Sequence, residues 1–410
     1  MSIHRFQNQS TSDGAHVFVV SHEASLTGAP KIALNLVKQI RAKTNVHLTT
    51  ILHNGGPLLP EFEAESETLC LDLPREHHPT IHSRLRKLLK PLQKSGKKVL
   101  CICNSVESRF IANSVYTRDI PIVYLLHEYP TSYDTSEFQK IYQYSSKMVF
   151  PCMAVRNAAD RSVPIPAGKA VVHSQGLLDD QFGTRISKTT ARKQLRVALG
   201  LPEDAFVVLG CGTIDLRKGI DHFISVARTY EELNRENRPV CFCWVGDGPR
   251  HPHSAFHYVE IDIANSKQTN IKLVGEETDV EPFFVGADAF LLTSRVDPFP
   301  CVIHEAMAAQ LPVILFDESG GAIEAVAEDA GLIVPFANYI ETCRTIDRLY
   351  ENPGFAEKVA ARGLARVHQK YRFDDYADQI IQLCESELQM SIRTQSDPVS
   401  GANSGLRRAA

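Results

Sequence analysis

The carboxylates of Asp297 and Glu305 lie in one segment, residues 289–324, which reads AFLLTSRVDPFPCVIHEAMAAQLPVILFDESGGAIE. The apolar run 289–294 predicts a buried strand, and residues 302–310 have the apolar spacing of a helix. Two prolines between them remove backbone donors, so the strand ends before Asp297. Asp297 therefore follows the carboxyl end of a strand, and Glu305 stands in the first turns of the next helix. In open α/β sheets this edge is where ligands bind.

Carboxylates at such an edge suit a sugar ligand. Each can accept two O–H hydrogen bonds at once from the vicinal hydroxyls of a ribose or a hexose. The helix start between them offers backbone amides to a phosphate, in the run Phe299, Pro300, Cys301 and Val302. A structural interpretation also fits the spacing, in which Asp297 caps a loop and Glu305 is a solvated helix residue.

Loops after two other predicted strands carry residues that suit an anion. Arg217 and Lys218 stand between the strand 206–212 and a helix, where they can neutralise a diphosphate leaving group. The alternative is a pair of solvated basic residues. Gly28, in the loop HEASLTGAP after the strand 16–21, permits close backbone approach at a helix start. That loop has neither the G-x-G-x-x-G nor the P-loop form.

Two more strand ends carry candidate residues. His127 closes the strand 122–127, although a lone histidine at such a place is more often structural than catalytic. Gly275 follows the strand 271–274, at a place where folds of this kind seat a nucleotide base.

The segment DPFPCVIHEAMA resembles the E-x7-E signature of retaining GT-B glycosyltransferases of family four. The residues that match outright are Phe299, Pro300, Glu305, Ala306, Met307 and Ala308. The first glutamate of the signature is Asp297 here, and its glycine is Pro298. The GGAIE at 320–324 matches the following G-G-x-x-E. The family also has a G-R pair followed a few residues later by K-G; Lys218 and Gly219 match, whereas Thr213 takes the place of the arginine.

The resemblance implies a role for each candidate residue. Asp297 and His127 would hold the donor sugar, and Lys218 would meet the leaving diphosphate, with Arg217 in place of the missing arginine. The donor phosphates would bind at Gly28 and residues 299–302. Glu305 would bind the ribose, and the base would lie near Gly275. The donor is a nucleotide sugar, UDP- or GDP-linked, used as a substrate. No cofactor and no metal are expected.

The alternation of strands and helices predicts an α/β protein with two domains, and the resemblance makes it a GT-B fold. Two Rossmann-like domains would face each other across a cleft, and a C-terminal helix would return to the N-terminal domain. The expected limits are a flexible N-terminus over 1–15, an acceptor domain over 16–195, a donor domain over 205–370, a returning helix over 371–389 and a disordered tail over 390–410.

Composition narrows the class of protein. A net charge of −4 gives no electrostatic basis for nucleic-acid binding. No apolar run reaches the ~18–20 residues of a membrane span, and the first residues lack the apolar centre of a secretory signal. The ten cysteines lack the spacing of a zinc site and are expected to be free, buried and reduced, which predicts a cytoplasmic protein.

Residues 84–98 form a basic amphipathic stretch with no acidic residue. Two interpretations stay open: a packed helix with a solvated basic side, and a helix that contacts an anionic membrane surface peripherally, on the inner face.

We therefore expect a hexosyltransferase (EC 2.4.1.-) that moves a sugar to a glycan or lipid-linked acceptor hydroxyl with retention, in polysaccharide or glycolipid synthesis. The alternatives are a non-catalytic, degenerate transferase that binds a sugar nucleotide or a partner protein, and another GT-B-shaped enzyme such as a UDP-sugar epimerase.

Overall fold

The computed structural model describes residues 14–72, 78–234, 236–327 and 329–394. Its strands are β1 (His16–Ser21), β2 (His47–Leu52), β3 (Glu67–Cys70), β4 (Val99–Asn104), β5 (Ile122–Leu125), β6 (Lys147–Phe150), β7 (Ala170–Val172), β8 (Phe206–Cys211), β9 (Val240–Val245), β10 (Ile271–Gly275), β11 (Ala289–Leu292), β12 (Val313–Phe316) and β13 (Leu332–Val334).

The helices that follow the strands of the first half are α1 (Gly28–Lys43), α2 (Leu59–Glu65), α3 (His78–Lys94), α4 (Arg109–Tyr116), α5 (Thr135–Tyr144) and α6 (Met153–Ser162). The later helices are α7 (Lys188–Leu199), α8 (Ile220–Leu233), α9 (Ala255–Ser266), α10 (Glu281–Gly286), α11 (Cys301–Ala308), α12 (Ala322–Val326), α13 (Tyr339–Glu351), α14 (Pro353–Lys370) and α15 (Phe373–Leu388).

Two parallel sheets organise the described residues. The first has the order β3-β2-β1-β4-β5-β6-β7, and the second has the order β10-β9-β8-β11-β12-β13. Strands such as β1, β4 and β9 are buried along their whole length, because helices cover both faces of a parallel sheet. This is why HVFVVS, VLCICN and VCFCWV are continuous apolar runs without alternation.

The strand order reverses once in each sheet, and the predicted motifs follow the strands at these points. In the first sheet the reversal lies between β1 and β4, and in the second between β8 and β11. A crevice forms at such a point because the loops on its two sides turn to opposite faces of the sheet. The loop with Gly28 follows β1, the loop with Lys218 follows β8, and the loop with Asp297 follows β11.

The last helix, α15, returns to the first sheet. Its apolar face is buried against α1 and β4 through Phe373, Tyr376, Ile380 and Ile381. Before it, α14 packs against α11 in the second half. The predicted fold class, two Rossmann-like domains with a returning helix, is confirmed.

The structure places the boundary between the two domains earlier in the chain than predicted. The helix α7 packs against α10, and Arg196 on it donates to Asp288 Oδ2 at 2.5 Å and to Gly286 O at 2.6 Å. It therefore belongs to the second domain, and the first ends before 188 rather than at 195. The strand β3 is an edge strand that the sequence did not reveal, because ETLC is short and only half apolar.

The chain ends are more ordered than predicted where they are described. Ala15 is buried, and its carbonyl accepts a hydrogen bond from His47 N at 2.9 Å. Ile392 is also buried, and its carbonyl accepts from Asn45 N at 3.0 Å. The remaining parts of the predicted flexible N-terminus and tail, 1–13 and 395–410, lie outside the described residues.

All ten cysteines are free, as predicted from their spacing. Seven are buried and three are partly buried, because most lie on apolar strands or helix faces. Within the described ranges, no helix combines the length and the apolar character needed to cross a membrane.

Candidate active site

The starts of α1 and α11 face each other across the cleft. A Cβ placed on Gly28, the first residue of α1, would lie 3.8 Å from the Sγ of Cys301, the first residue of α11. Neither N-cap residue, Thr27 or Pro300, makes a side-chain capping hydrogen bond. The amides of Gly28 and Ala29 on α1 and of Cys301 and Val302 on α11 therefore remain available, and two helix N-termini can act on one anion.

A buried ion pair lies between the loops after β8 and β11. Lys218 Nζ lies 2.5 Å from Asp297 Oδ2, and the two side chains are 15% and 6% exposed. Ser294 Oγ donates to the same oxygen at 3.3 Å, and Arg217 Nη1 lies 3.7 Å from Asp297 Oδ1. The structure thus brings together three predicted residues, with two cations around one carboxylate.

The glycine pair after β12 fixes the position of Asp297. Asp297 N donates to Ser319 O at 3.2 Å, and Asp297 O accepts from Gly321 N at 3.0 Å. A Cβ on Gly320 would overlap the Asp297 carbonyl, and one on Gly321 would overlap the Pro298 carbonyl. Only glycine allows the two segments to run this close, so the G-G-x-x-E motif holds the carboxylate at the cleft.

Glu305 shares one region with two lysines. Burial raises the pKa of its carboxyl group, and the positive charges of Lys31 and Lys218 act in the opposite direction. Burial raises the pKa values of the Cys211 and Cys301 thiols to about 12. The charge of Glu305 raises them further, whereas the charges of Lys218 and Lys31 lower them. The structure therefore places Glu305 with the Lys218 cluster and adds Lys31 from the opposite domain.

His127 is held at the end of β5 in its neutral form. Asn104 Nδ2 donates to Ala29 O at 2.9 Å, which turns Asn104 Oδ1 towards His127 Nε2 at 2.8 Å. The proton of the imidazole is thus on Nε2, and Nδ1 is an acceptor. Burial, helped by the nearby His22, lowers the pKa of His127 to about 4.

The remaining predicted residues contribute through the backbone. The Phe299 side chain is buried, its ring lies 5.6 Å from the Tyr371 ring, and its carbonyl accepts from Gln175 Nε2 at 2.9 Å. Pro300 is the N-cap of α11 and lacks an amide hydrogen, so Cys301 and Val302 supply the amides of the first turn.

Gly275 lies at the same edge of the second sheet, beyond β8 and β9. Its carbonyl accepts from Gly246 N at 2.7 Å. Gly212 directly follows β8, and its N donates to Val245 O, at the end of β9, at 3.0 Å. A Cβ on Gly275 would meet nothing within 4 Å, so open space adjoins this residue.

Sequence reasoning missed two residues of the site. Lys31 follows the Gly28 loop in the first turn of α1, and a basic residue directly after a glycine loop at a helix start was the signal that could have revealed it. Asn104 ends β4 beside the switch point, and its amide connects His127 to the backbone of α1. That connection joins residues distant in the chain, so no local pattern reveals it.

No group of three or more His, Cys, Asp or Glu side chains is placed to hold a metal ion in the part of the chain that the structure describes. The expectation of catalysis without a metal or cofactor stays a prediction.

Solved structures share this two-domain arrangement. The Anabaena protein HepE, in a crystal structure with UDP and glucose, superposes with a TM-score of 0.77 at 19% identity, over 91% of this chain and 100% of that one. The fold and the cleft between the switch points therefore define a GT-B protein.

The family follows from sequence comparison. Residues 191–366 match the family described as glycosyl transferases group 1. An alpha-D-kanosaminyltransferase of Streptomyces kanamyceticus is 27% identical over 282 residues, which cover 64% of this chain and 69% of that protein. A lipopolysaccharide core biosynthesis glycosyltransferase of Rhizobium meliloti is 29% identical over 188 residues, 45% of this chain and 51% of that protein. Residues 191–366 therefore resemble the group 1 glycosyltransferases, in agreement with the motifs.

Proposed function

We propose that the protein transfers a hexose from a nucleotide-diphosphate donor to an acceptor hydroxyl, with retention of anomeric configuration. The observation that carries the proposal is the cluster of Lys218, Arg217 and Asp297 at the second switch point, beside the facing starts of α1 and α11. Cations, helix N-termini and a carboxylate in one cleft suit a ligand with a diphosphate at one end and sugar hydroxyls at the other.

Binding of the donor would replace the ion pair between Lys218 and Asp297 by contacts of both residues with the donor. Lys218 and Asp297 neutralise each other at 2.5 Å. A diphosphate would take over Lys218 and Arg217, and the hydroxyls of the hexose would donate to Asp297. The lysine then lies beside the oxygen that gains negative charge as the glycosidic bond breaks, where a fixed cation lowers the barrier most. Glu305 would accept from the ribose hydroxyls.

His127 contributes as a hydrogen-bond acceptor. Its Nε2 proton is engaged by Asn104, and its Nδ1 can accept from a sugar hydroxyl. A neutral ring adds no positive charge beside the leaving group, so its role is to orient the hexose rather than to transfer a proton.

The base and the acceptor are inferred from relatives. The Anabaena neighbour is described with UDP and glucose, which makes a UDP-linked hexose the first donor to test and a GDP-linked one the second. The Rhizobium meliloti relative is described as acting in lipopolysaccharide core biosynthesis. We infer an acceptor that is a glycan or a lipid-linked sugar, in cell-surface polysaccharide or glycolipid synthesis.

Calorimetry with UDP and GDP, followed by turnover assays with labelled UDP- and GDP-hexoses, tests the proposal. We expect one diphosphate to bind, Lys218→Ala to abolish turnover, and the product to keep the donor's anomeric configuration by NMR. Arg344→Ala is the matched control, because it breaks an ion pair with Glu341 on the exposed face of α13. An inverted product would overturn the assignment of retention.

The alternative of a degenerate, non-catalytic transferase rests on Thr213 and Asp297, two of the three departures from the family motifs. Nucleotide binding without transfer to any glycan or lipid acceptor would favour it. Release of a free, epimerised nucleotide sugar would instead favour the epimerase interpretation.

A peripheral membrane contact through α3 is the second part of the proposal. Leu85 and Leu89 are buried in the core, and Leu88 and Leu92 pack against it. The apolar face is therefore used within the fold, and only the basic side is exposed, at Arg86, Lys87, Lys90 and Lys94. Such a surface would bind anionic lipid electrostatically, without inserting.

Sedimentation with vesicles of phosphatidylcholine and phosphatidylglycerol tests this contact. We expect binding to the anionic vesicles that disappears near 0.5 M salt, because roughly that ionic strength screens exposed charges beyond a few ångströms. A Lys87→Glu, Lys90→Glu variant should lose binding and keep turnover on a soluble acceptor. Equal binding to neutral vesicles would contradict an electrostatic contact.

A further inference from the structure

We propose that Lys31 binds the donor diphosphate from the opposite side of the cleft and supplies the positive charge that Thr213 does not. This inference rests on the proposed function, since it concerns the same donor. Lys31 belongs to the first domain, whereas Lys218, Arg217 and Thr213 all belong to the second.

The position of Lys31 follows from the approach of the two helices. It lies in the first turn of α1, and its backbone N donates to the carbonyl of Thr27, the N-cap, at 3.2 Å. One turn earlier, Gly28 approaches Cys301 on α11 to 3.8 Å. The charge of Lys31 reaches Glu305, Cys211 and Cys301, which are all residues of the second domain. Lys31 thus lies close enough to the second domain for its charge to act on groups beside the two helix starts.

Lys31 differs from the other cations of the site because its charge is not neutralised. Among the described residues, no carboxylate oxygen forms an ion pair with Lys31 Nζ within 4.0 Å, while Lys218 Nζ is held by Asp297 at 2.5 Å. Arg217 is a weaker substitute for the missing arginine. Its side chain is 45% exposed and lies between two carboxylates, 3.9 Å from Asp215 and 3.7 Å from Asp297.

A half-buried ammonium beside a carboxylate, without a close ion-pair partner, is suited to an anionic ligand. A diphosphate at the starts of α1 and α11 would meet Lys31 on one side and Lys218 on the other. Because the two lysines belong to different domains, the donor would also bridge the domains, and donor binding would favour the closed cleft.

Calorimetry on the full chain, with UDP, GDP and the matching nucleosides, tests the inference. Lys31→Met keeps the aliphatic stem and removes the charge. We expect the affinity for the diphosphate to fall by about 10- to 100-fold, the range for losing one hydrogen bond to a charged group, while the affinity for the nucleoside stays unchanged. Lys31→Arg should retain most of the affinity.

Thr213→Arg restores the family's arginine and completes the design. In the Lys31→Met background it should recover most of the lost affinity, which a merely structural role of Lys31 would not allow. Lys38→Ala is the control on the same helix, since Lys38 pairs with Glu61 at 2.9 Å on the exposed side.

The outcomes separate the two proposals. If the unmodified chain binds neither diphosphate, the proposed function fails. If the unmodified chain binds and Lys31→Met binds equally well, only the role of Lys31 is overturned. An equal loss of nucleoside and diphosphate affinity in Lys31→Met would also overturn it, because the lysine would then be acting on the fold rather than on phosphate.

Discussion

Replacing Lys218 with methionine removes the main partner of a buried carboxylate. Asp297 is 6% exposed, and its other contacts are Ser294 Oγ at 3.3 Å and Arg217 Nη1 at 3.7 Å. Removing one member of a buried ion pair costs about 3–5 kcal/mol of stability. Because Arg217 remains nearby but is 45% exposed, we expect the lower end, a loss of about 3 kcal/mol in the free energy of unfolding.

A double variant, Lys218→Met with Asp297→Asn, separates the effect of the unpaired charge on stability from the effect of altered packing. With a neutral amide at 297 no charge is left uncompensated, so the double variant should lie within about 1 kcal/mol of the unmodified protein. Turnover, in contrast, should fall by at least about 100-fold in both single variants and in the double variant, since each lacks a group that contacts the donor.

Urea unfolding, followed by tryptophan fluorescence, measures the free energy of unfolding of each variant. The chain has one tryptophan, Trp244, which is buried in β9 and donates to Gly212 O at 2.9 Å. It therefore reports on the domain that holds the ion pair. Equal destabilisation of the Lys218→Met and double variants would refute the ion-pair reasoning, and unchanged turnover in Lys218→Met would refute the donor site.

Three further predictions concern single residues. Glu305→Gln should weaken diphosphate binding in calorimetry by about 10-fold, through the ribose hydrogen bonds, and unchanged affinity would exclude a ribose contact. His304 is fully buried and has no hydrogen-bond partner for either ring nitrogen among the described residues, so His304→Leu should raise the free energy of unfolding at pH 7 by about 1–2 kcal/mol. Burial lowers the pKa of His304 to about 3, so below about pH 6.5 a proton binds the unfolded chain in preference to the folded one, and stability is lost as the pH falls towards 3. The gain in His304→Leu should therefore grow at pH 5, and a gain independent of pH would contradict this. Glu324 accepts hydrogen bonds from Met153 N at 3.0 Å and Ala154 N at 2.7 Å at the start of α6, so Glu324→Ala should cost about 1 kcal/mol in urea unfolding, with Glu324→Gln, which keeps an acceptor, losing less.

The second half of the fold could be predicted closely because its strands are apolar runs that end in loop signals. The predicted strands 206–212 and 271–274 agree with β8 and β10 to within one residue. The limits of α7 could not be predicted, since its assignment to a domain depends on Arg196 meeting Asp288. That contact joins residues 92 positions apart, and neither residue belongs to a recognisable motif.

The candidate site was predictable where its residues follow strands and unpredictable where it depends on the meeting of two domains. Asp297, Lys218 and His127 each lie just beyond a strand, and parallel strands bring their carboxyl ends to one edge. Lys31 and Asn104 matter only because α1 faces α11 and because β4 lies beside β1.

Two of the three departures from the family motifs, Thr213 and Asp297, lie beside charged groups. Thr213 carries no charge and is exposed, but Arg217 lies in the same loop and Lys31 enters from the other domain. Asp297 has a shorter side chain than glutamate, yet Lys218 reaches it at 2.5 Å and the Gly320–Gly321 backbone holds its loop. A site that had lost its ligand would have no need to keep these groups together, because a buried ion pair and a half-buried lysine each lower stability compared with apolar residues. Their joint presence therefore favours an active transferase over a degenerate one.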